Sequence, residues 1–143
     1  MGREIIEASL FESPNVIGHQ VNCMGAMKRG LAGQFKLRYP KVFIKYKSLC
    51  TENRDHPQRL LGMVQPVTVG DRRILNLFGQ LRYGTGLQTD YDALRLIACK
   101  LQERAITVDL PWRIGCGLGG GDWEIVQKIF EPVAGRWFRW GKG

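Results

Sequence analysis

The chain has 143 residues, 44% of them hydrophobic and 24% charged, with a net charge of +8. That is the composition of one ordinary globular domain, and it excludes a disordered or fibrous protein. No apolar run approaches the roughly 18 residues a membrane helix needs, and the opening MGREIIEASL carries acids where an export signal is apolar.

In chain order, residues 3–8 and 16–21 read as strands, the second bounded by Pro14-Asn15 and Asn22. Residues 30–39 predict a helix with Leu31 and Phe35 on one face. Pro40 ends it and opens another, in which Val42, Tyr46 and Leu49 share a side. Polar residues 51–59 read as a surface loop. Residues 60–67 and 73–78 predict two strands joined across Gly70-Asp71, a hairpin signal. Residues 79–87 form a loop. Residues 89–103 predict a helix, with Thr89 and Asp92 as a capping box and Tyr91, Leu94, Ala98 and Leu101 on its apolar face. A strand over 106–110, a glycine turn and a helix over 123–131 burying Val126, Ile129 and Phe130 follow. The tail GRWFRWGKG suits a last short strand with Trp137, Phe138 and Trp140. Hairpins mixed with βαβ crossovers predict an α/β fold, a three-layer α/β/α sandwich with a central mixed sheet, as a single domain over 1–143.

The four cysteines, Cys23, Cys50, Cys99 and Cys116, form no CxxC pair and have only His19 and His56 as imidazole partners. No metal site is expected, and the compartment reads as reducing and cytoplasmic. Cys50 and Cys99 are expected as buried, inert thiols within helices. Charge is concentrated between Lys28 and Arg59, which hold nine Lys or Arg against Glu52 and Asp55. Such a stretch can attract nucleic acid or a small polyanion, and it can equally be the solvated face of two helices.

The stretch LPWRIGCGLGGGDWEIV places a glycine-rich turn between a buried strand and an amphipathic helix. Backbone N–H groups there can point inward unobstructed, with a helix dipole behind them, which is how a main-chain phosphate cradle is built. Gly115, Gly117 and Gly120 satisfy G-x-G-x-x-G. A dinucleotide fold, however, needs this motif in its first βα unit with an acid some 20 residues on, and the chain ends too soon. No Lys-Ser or Lys-Thr follows the glycines, so a P-loop is excluded as well.

VIGHQVNCMGAMKRGLA, the following Tyr39-Pro40, NLFGQLRYG, TDYDAL and IGCGLGGGDWEIV together resemble the macro domain family. The likeness runs over nearly the whole chain, and is nearest to the branch that binds or processes ADP-ribose derivatives such as ADP-ribose 1″-phosphate. It implies a cleft at the C-terminal ends of the strands, where two glycine loops clasp the diphosphate and distal ribose. It implies no cofactor, no metal and no membrane. The partner is ADP-ribose or a derivative, free or carried on protein or nucleic acid.

By that resemblance Asn22 meets the distal ribose, and Gln20, Gly25, Lys28, Arg29 and Gly30 belong to the first side of the cleft. Gly79, Gln80 and Tyr83 edge the ribose, and Gly115, Cys116, Gly117, Leu118, Gly119, Gly120 and Gly121 form the second loop. Asp122 can orient or deprotonate a water, or cap the helix it begins; the two roles are compatible. Strand alternation puts Gln20 on the same face as Asn22 and His19 on the other, so His19 reads as a core histidine rather than a base. Trp123 reads as core.

Three departures from the family pattern stand out. Gln80, Leu81 and Arg82 occupy the position where some family hydrolases carry a nucleophilic Lys, so attack by water is the implied chemistry. Ala8 and Ser9 stand where a Gly-Asp pair meets adenine. Lys28 replaces a first-loop glycine, giving up its backbone freedom while bringing a cation toward the diphosphate. Two further readings stay open: a non-catalytic ADP-ribose-binding module, and a basic nucleic-acid-binding protein.

Overall fold

The computed structural model describes residues 2–140; Met1 and residues 141–143, the last part of the tail, lie outside the described residues. Six strands form one sheet: β1 (Ile5–Ile6), β2 (Val16–Asn22), β3 (Val64–Val69), β4 (Arg72–Gln80), β5 (Val108–Pro111) and β6 (Trp137–Phe138). Their spatial order is β1-β6-β5-β2-β4-β3. Neighbours run parallel except β3 and β4, which are antiparallel and joined at Gly70-Asp71 as the hairpin signal predicts. Helices α1 (Gly30–Arg38) and α2 (Pro40–Glu52) cover one face; α3 (Tyr91–Glu103) and α4 (Trp123–Phe130) cover the other. This is the expected three-layer sandwich.

The core follows from alternation along the central strands. On β4, Ile74 and Phe78 meet Phe35, Val42 and Tyr46 of α1 and α2, while Leu75 and Leu77 meet Leu94, Ile97, Leu101, Val126 and Phe130 of α3 and α4. A central parallel strand is apolar on both sides because helices cover both. Trp137, fully buried, packs edge-on against Phe130 and Trp123. Trp123 is half-buried, packed against the core rather than within it.

Several polar groups are buried with them, and each has partners. His19 stacks on Phe35 with ring centroids 3.9 Å apart, and its Nε2 hydrogen-bonds Asn76 Oδ1 at 2.7 Å. Asp109, fully buried, accepts from Ser13 Oγ (2.6 Å), Asn15 Nδ2 (3.1 Å) and the Arg136 backbone N–H (2.9 Å). Those donors hold its pKa below the usual value although burial pushes the other way. Nearby, Arg3 donates to the carbonyls of Val133, Val108 and Arg136 and lies over the Trp137 ring. This arrangement pins β1 and β6 to β5.

Several expectations are corrected. Residues 60–63 are not strand: Pro57 starts a 3-10 turn over Pro57–Leu60, and Gly62 turns the chain at φ +89°. The polar loop read at 51–59 overlaps α2 and that turn. The first strand is two residues long. α3 begins at Tyr91 with Asp90 as N-cap, accepting from Ala93 N at 2.9 Å; Thr89 is not the cap, because its backbone is engaged elsewhere. Tyr91 and Ile129 are half-buried rather than core. Cys99 is exposed, since the buried stripe of α3 is Ala93, Leu94, Ile97, Ala98 and Leu101. Trp140 lies past β6 and is exposed. Lys28 does not have a positive φ, so its side chain imposes no backbone strain there.

Burial lowers the His19 pKa from its ordinary 6.5 to about 4, with the Asn76 hydrogen bond opposing. A pKa depressed in the folded state gives stability that is complete above pH 6.5 and declines as pH falls toward 4. Urea midpoints at pH 7 and pH 4.5 should therefore separate more in the native sequence than in His19→Gln; equal separations would contradict this.

Candidate functional site

The adjacent parallel strands β5, β2 and β4 end on one side of the sheet, and each releases a loop there: 112–122, 23–29 and 81–90. In open α/β sheets this is where ligands bind.

The floor is a chain of polar side chains. Gln20 Nε2, at the end of β2, donates to Gln80 Oε1 (2.7 Å) and Thr89 Oγ1 (2.9 Å), and Thr89 Oγ1 donates to the Gly115 carbonyl (2.6 Å). Thr89 N and Gln88 N both donate to the Gly119 carbonyl. Glycine is required here by contact as well as by φ. A Cβ on Gly79 would stand 2.5 Å from Gln20 Oε1, and one on Gly115 2.8 Å from the same atom, at φ +76°. That Oε1 is buried and has no hydrogen-bond partner.

The second loop folds on itself, Gly120 N donating to Gly117 O (3.0 Å) and Gly121 N to Gly115 O (2.8 Å). Among the described residues, the N–H groups of Gly117, Leu118 and Gly119 have no protein acceptor. The loop ends at exposed Asp122, the N-cap of α4. Its Oδ1 accepts from Glu124 N at 2.9 Å, and its backbone N–H donates to Tyr91 OH at 2.9 Å. Oδ2 has no protein partner among the described residues. One oxygen caps the helix and the other is available. Cys116 is half-buried, its thiol pushed up by burial and directed at the Ile114 carbonyl.

In the first loop the structure departs from simple alternation. The β2–β4 register shifts between Val21 and Asn22, and Asn22 turns toward α2 instead of lying beside Gln20. Its Oδ1 accepts from Met24 N (2.9 Å) and Tyr46 OH (2.8 Å), and Nδ2 donates to Ala26 O (2.8 Å). One N–H of that amide remains for another partner. Burial pushes the Tyr46 hydroxyl above its usual range, so it stays a donor. Gly25 and Gly30 turn the loop at φ +81° and +58°.

The loops meet. A Cβ on Gly30 would stand 3.3 Å from Leu118 Cδ1, one on Gly120 2.5 Å from the Gly86 carbonyl, and Cys23 N donates to Leu81 O at 3.0 Å. Lys28 and Arg29 are exposed at the start of α1, and Tyr83 is exposed on the 81–90 loop. Gln80 Nε2 donates to Arg82 O and its Oε1 accepts from Gln20, so the Gln80 amide braces the floor, while Gln20 braces it through Nε2 alone. Ser9 is engaged as N-cap of a short 3-10 turn (Leu10–Glu12), with Glu12 completing its capping box.

No protein-family model matches the chain. A DNA ADP-ribosyl glycohydrolase of Mycobacterium tuberculosis is 31% identical over 111 residues, covering 76% of this chain and 31% of that protein. An uncharacterized 17.5 kDa protein of Enterobacteria phage T4 is 30% identical over 138 residues, covering 90% of this chain and 85% of that one. Among solved structures, the macrodomain of Mycobacterium tuberculosis DarG superposes with a TM-score of 0.73 at 27% identity, covering 96% of this chain and 98% of that one. The fold, its two glycine loops and these relatives agree: the chain belongs to the macro domain family. It spans about a third of the length of the glycohydrolase it matches.

Sequence reasoning passed over Thr89 and Tyr46. Thr89 was assigned to a helix cap, although a Thr flanked by a glycine-rich loop and a Tyr two residues on marks the join. Thr89→Val leaves the Gly115 carbonyl and the Gln20 amide without that partner, at a cost of about 1–3 kcal/mol. Denaturant unfolding should show that loss in Thr89→Val and much less of it in Thr89→Ser; equal losses would reduce Thr89 to a packing residue.

Proposed function

We propose that the protein binds the ADP-ribosyl group in this cleft and hydrolyses its bond at the distal ribose by direct attack of water. The substrate is ADP-ribose 1″-phosphate or an acceptor to which ADP-ribose is linked. The observation that carries this reading is the second loop: three unclaimed N–H groups, followed at once by a carboxylate with one free oxygen, facing the first loop across Gly30 and Leu118. The N–H groups and the start of α4 receive the diphosphate. Lys28 and Arg29 add charge, and the spare N–H of Asn22 meets the distal ribose.

Asp122 Oδ2 then holds a water and takes its proton as the oxygen bonds to the electrophilic centre, the anomeric carbon for a glycosidic link or phosphorus for the 1″-phosphate. The bond from that centre to the leaving atom breaks, and the electron pair stays on that atom (the acceptor atom in the first case, the ribose 1″-oxygen in the second). The proton taken up by Asp122 is passed on to neutralise it. Positioning and general-base assistance supply the rate. No lysine lies in residues 79–90, consistent with water rather than a covalent route. The relative named for ADP-ribosyl removal from DNA supports a linked acceptor.

A non-catalytic binding module is the second reading, favoured by the internal hydrogen bonds that already occupy most of the Asn22 amide. The four cysteines are free, which supports a reducing, cytoplasmic setting. No helix among the described residues is long and apolar enough to cross a membrane.

Calorimetric titration with ADP-ribose should give heat that Asn22→Ala weakens. Incubation with ADP-ribose 1″-phosphate and with an ADP-ribosylated oligonucleotide should release product from at least one. Asp122→Asn keeps a capping side chain, so it should lower turnover by about 10²–10⁴-fold with binding retained. Absence of heat with ADP-ribose would refute both readings; heat without turnover would select the binding module.

A further inference from the structure

We propose that the seam between α1 and α2 is a docking surface for the phosphate backbone of a single-stranded nucleic acid, entering the cleft past the first loop. It rests on the ADP-ribosyl reading above and names the acceptor side of that substrate.

Residues 13–51 contain no Asp or Glu, so α1, the loop before it and all of α2 except its last residue, Glu52, carry charge of one sign. Four of the cations lie along the helix seam and the first loop. Lys36 of α1 places its Nζ 4.0 Å above the Phe43 ring of α2. Lys47 follows one turn after Phe43, and its Nζ lies 3.0 Å from where a Cβ on Gly25 would be, against the back of the first loop. Lys28 and Arg29 continue from that loop to Gly30 and Leu118 at the cleft. Among the described residues none of the four is in an ion pair, so their charge is open to a polyanion.

A solvated helix face would need no such alignment with the cleft. The rim beside it exposes Met24, Tyr83 and Leu87, on which unstacked bases can lie. Cations tracking a backbone beside apolar and aromatic platforms suit a single strand. An acidic peptide would use the cations and leave the platforms idle.

The test is fluorescence anisotropy with an unmodified oligothymidylate across a salt series. Each phosphate neutralised contributes about 0.7 to the slope of log K against log salt. Lys36→Glu/Lys47→Glu should weaken binding on the order of ten-fold and flatten that slope by about 1.4. Lys41→Glu/Lys45→Glu changes net charge equally on the stripe of α2 facing β3, where Lys41 Nζ reaches Thr68 O and Gln65 reaches Lys45 O. It should leave binding nearly unchanged. Circular dichroism checks that both variants fold, and ADP-ribose calorimetry should be the same in both. Equal weakening by the two pairs, a salt-independent signal, or equally tight binding of a poly-glutamate peptide would overturn the proposal. Failure of ADP-ribose to bind the native protein would instead strike the reading of the cleft.

Discussion

The hydroxyl of Thr89 ties two loops of the cleft to the end of β2. It accepts from Gln20 at the end of β2 and donates to the carbonyl of Gly115, while the backbone N–H of the same residue holds Gly119. Loops on the C-terminal side of a parallel sheet have no ladder of their own to satisfy their peptide groups. Here a 4% exposed side chain does that work. The consequence is that residues 115–121 approach the sheet more closely than side chains would allow, leaving a compact, preorganised concavity rather than a floppy glycine run. Preorganised donors need little rearrangement when charge arrives.

The opposite end of the sheet is held by a different device. Asp109 and Arg3 are buried, and each is surrounded by partners that satisfy it: Asp109 by hydroxyl, amide and guanidinium donors, Arg3 by three carbonyls and an indole face. Burial lowers the Arg3 pKa to about 10, with Asp109 opposing that shift. The guanidinium is therefore still charged at neutral pH, and removing Asp109 would take away the nearby negative charge that opposes its desolvation. This arrangement lets two-residue strands, β1 and β6, serve as part of a six-stranded sheet.

The layers, the hairpin and the helices were legible in the sequence because each rests on local periodicity or a turn dipeptide. The two glycine loops were legible as a pair, and Asp122 as a residue with two compatible roles. Contacts between residues far apart in the chain were not. Nothing in the run Val16–Asn22 announces the register shift that turns Asn22 toward Tyr46, because alternation assumes an unbroken pleat. Arg3 reaches the Val108 carbonyl across more than a hundred residues. Thr89 looked like a cap because Thr before an apolar helical repeat is one, yet its position against Gly115 and Gly119 leaves that task to Asp90. Residues 60–63 show the same limit: apolar enough for a strand, they are bent at Gly62, which lies against Leu96 of α3, while Leu60, Leu61 and Met63 pack with the core on the α1 and α2 side.

β3 is the open edge of the sheet on the hairpin side, and such edges are templates for a strand from another molecule. Its third residue, Pro66, cannot donate, and the Lys41 ammonium occupies the Thr68 carbonyl. The edge is therefore broken chemically in the middle and covered by charge near its end. A basic protein with this feature resists sheet-to-sheet stacking at high concentration, and acetylation of Lys41 would remove the charge and free that carbonyl, weakening its guard against aggregation.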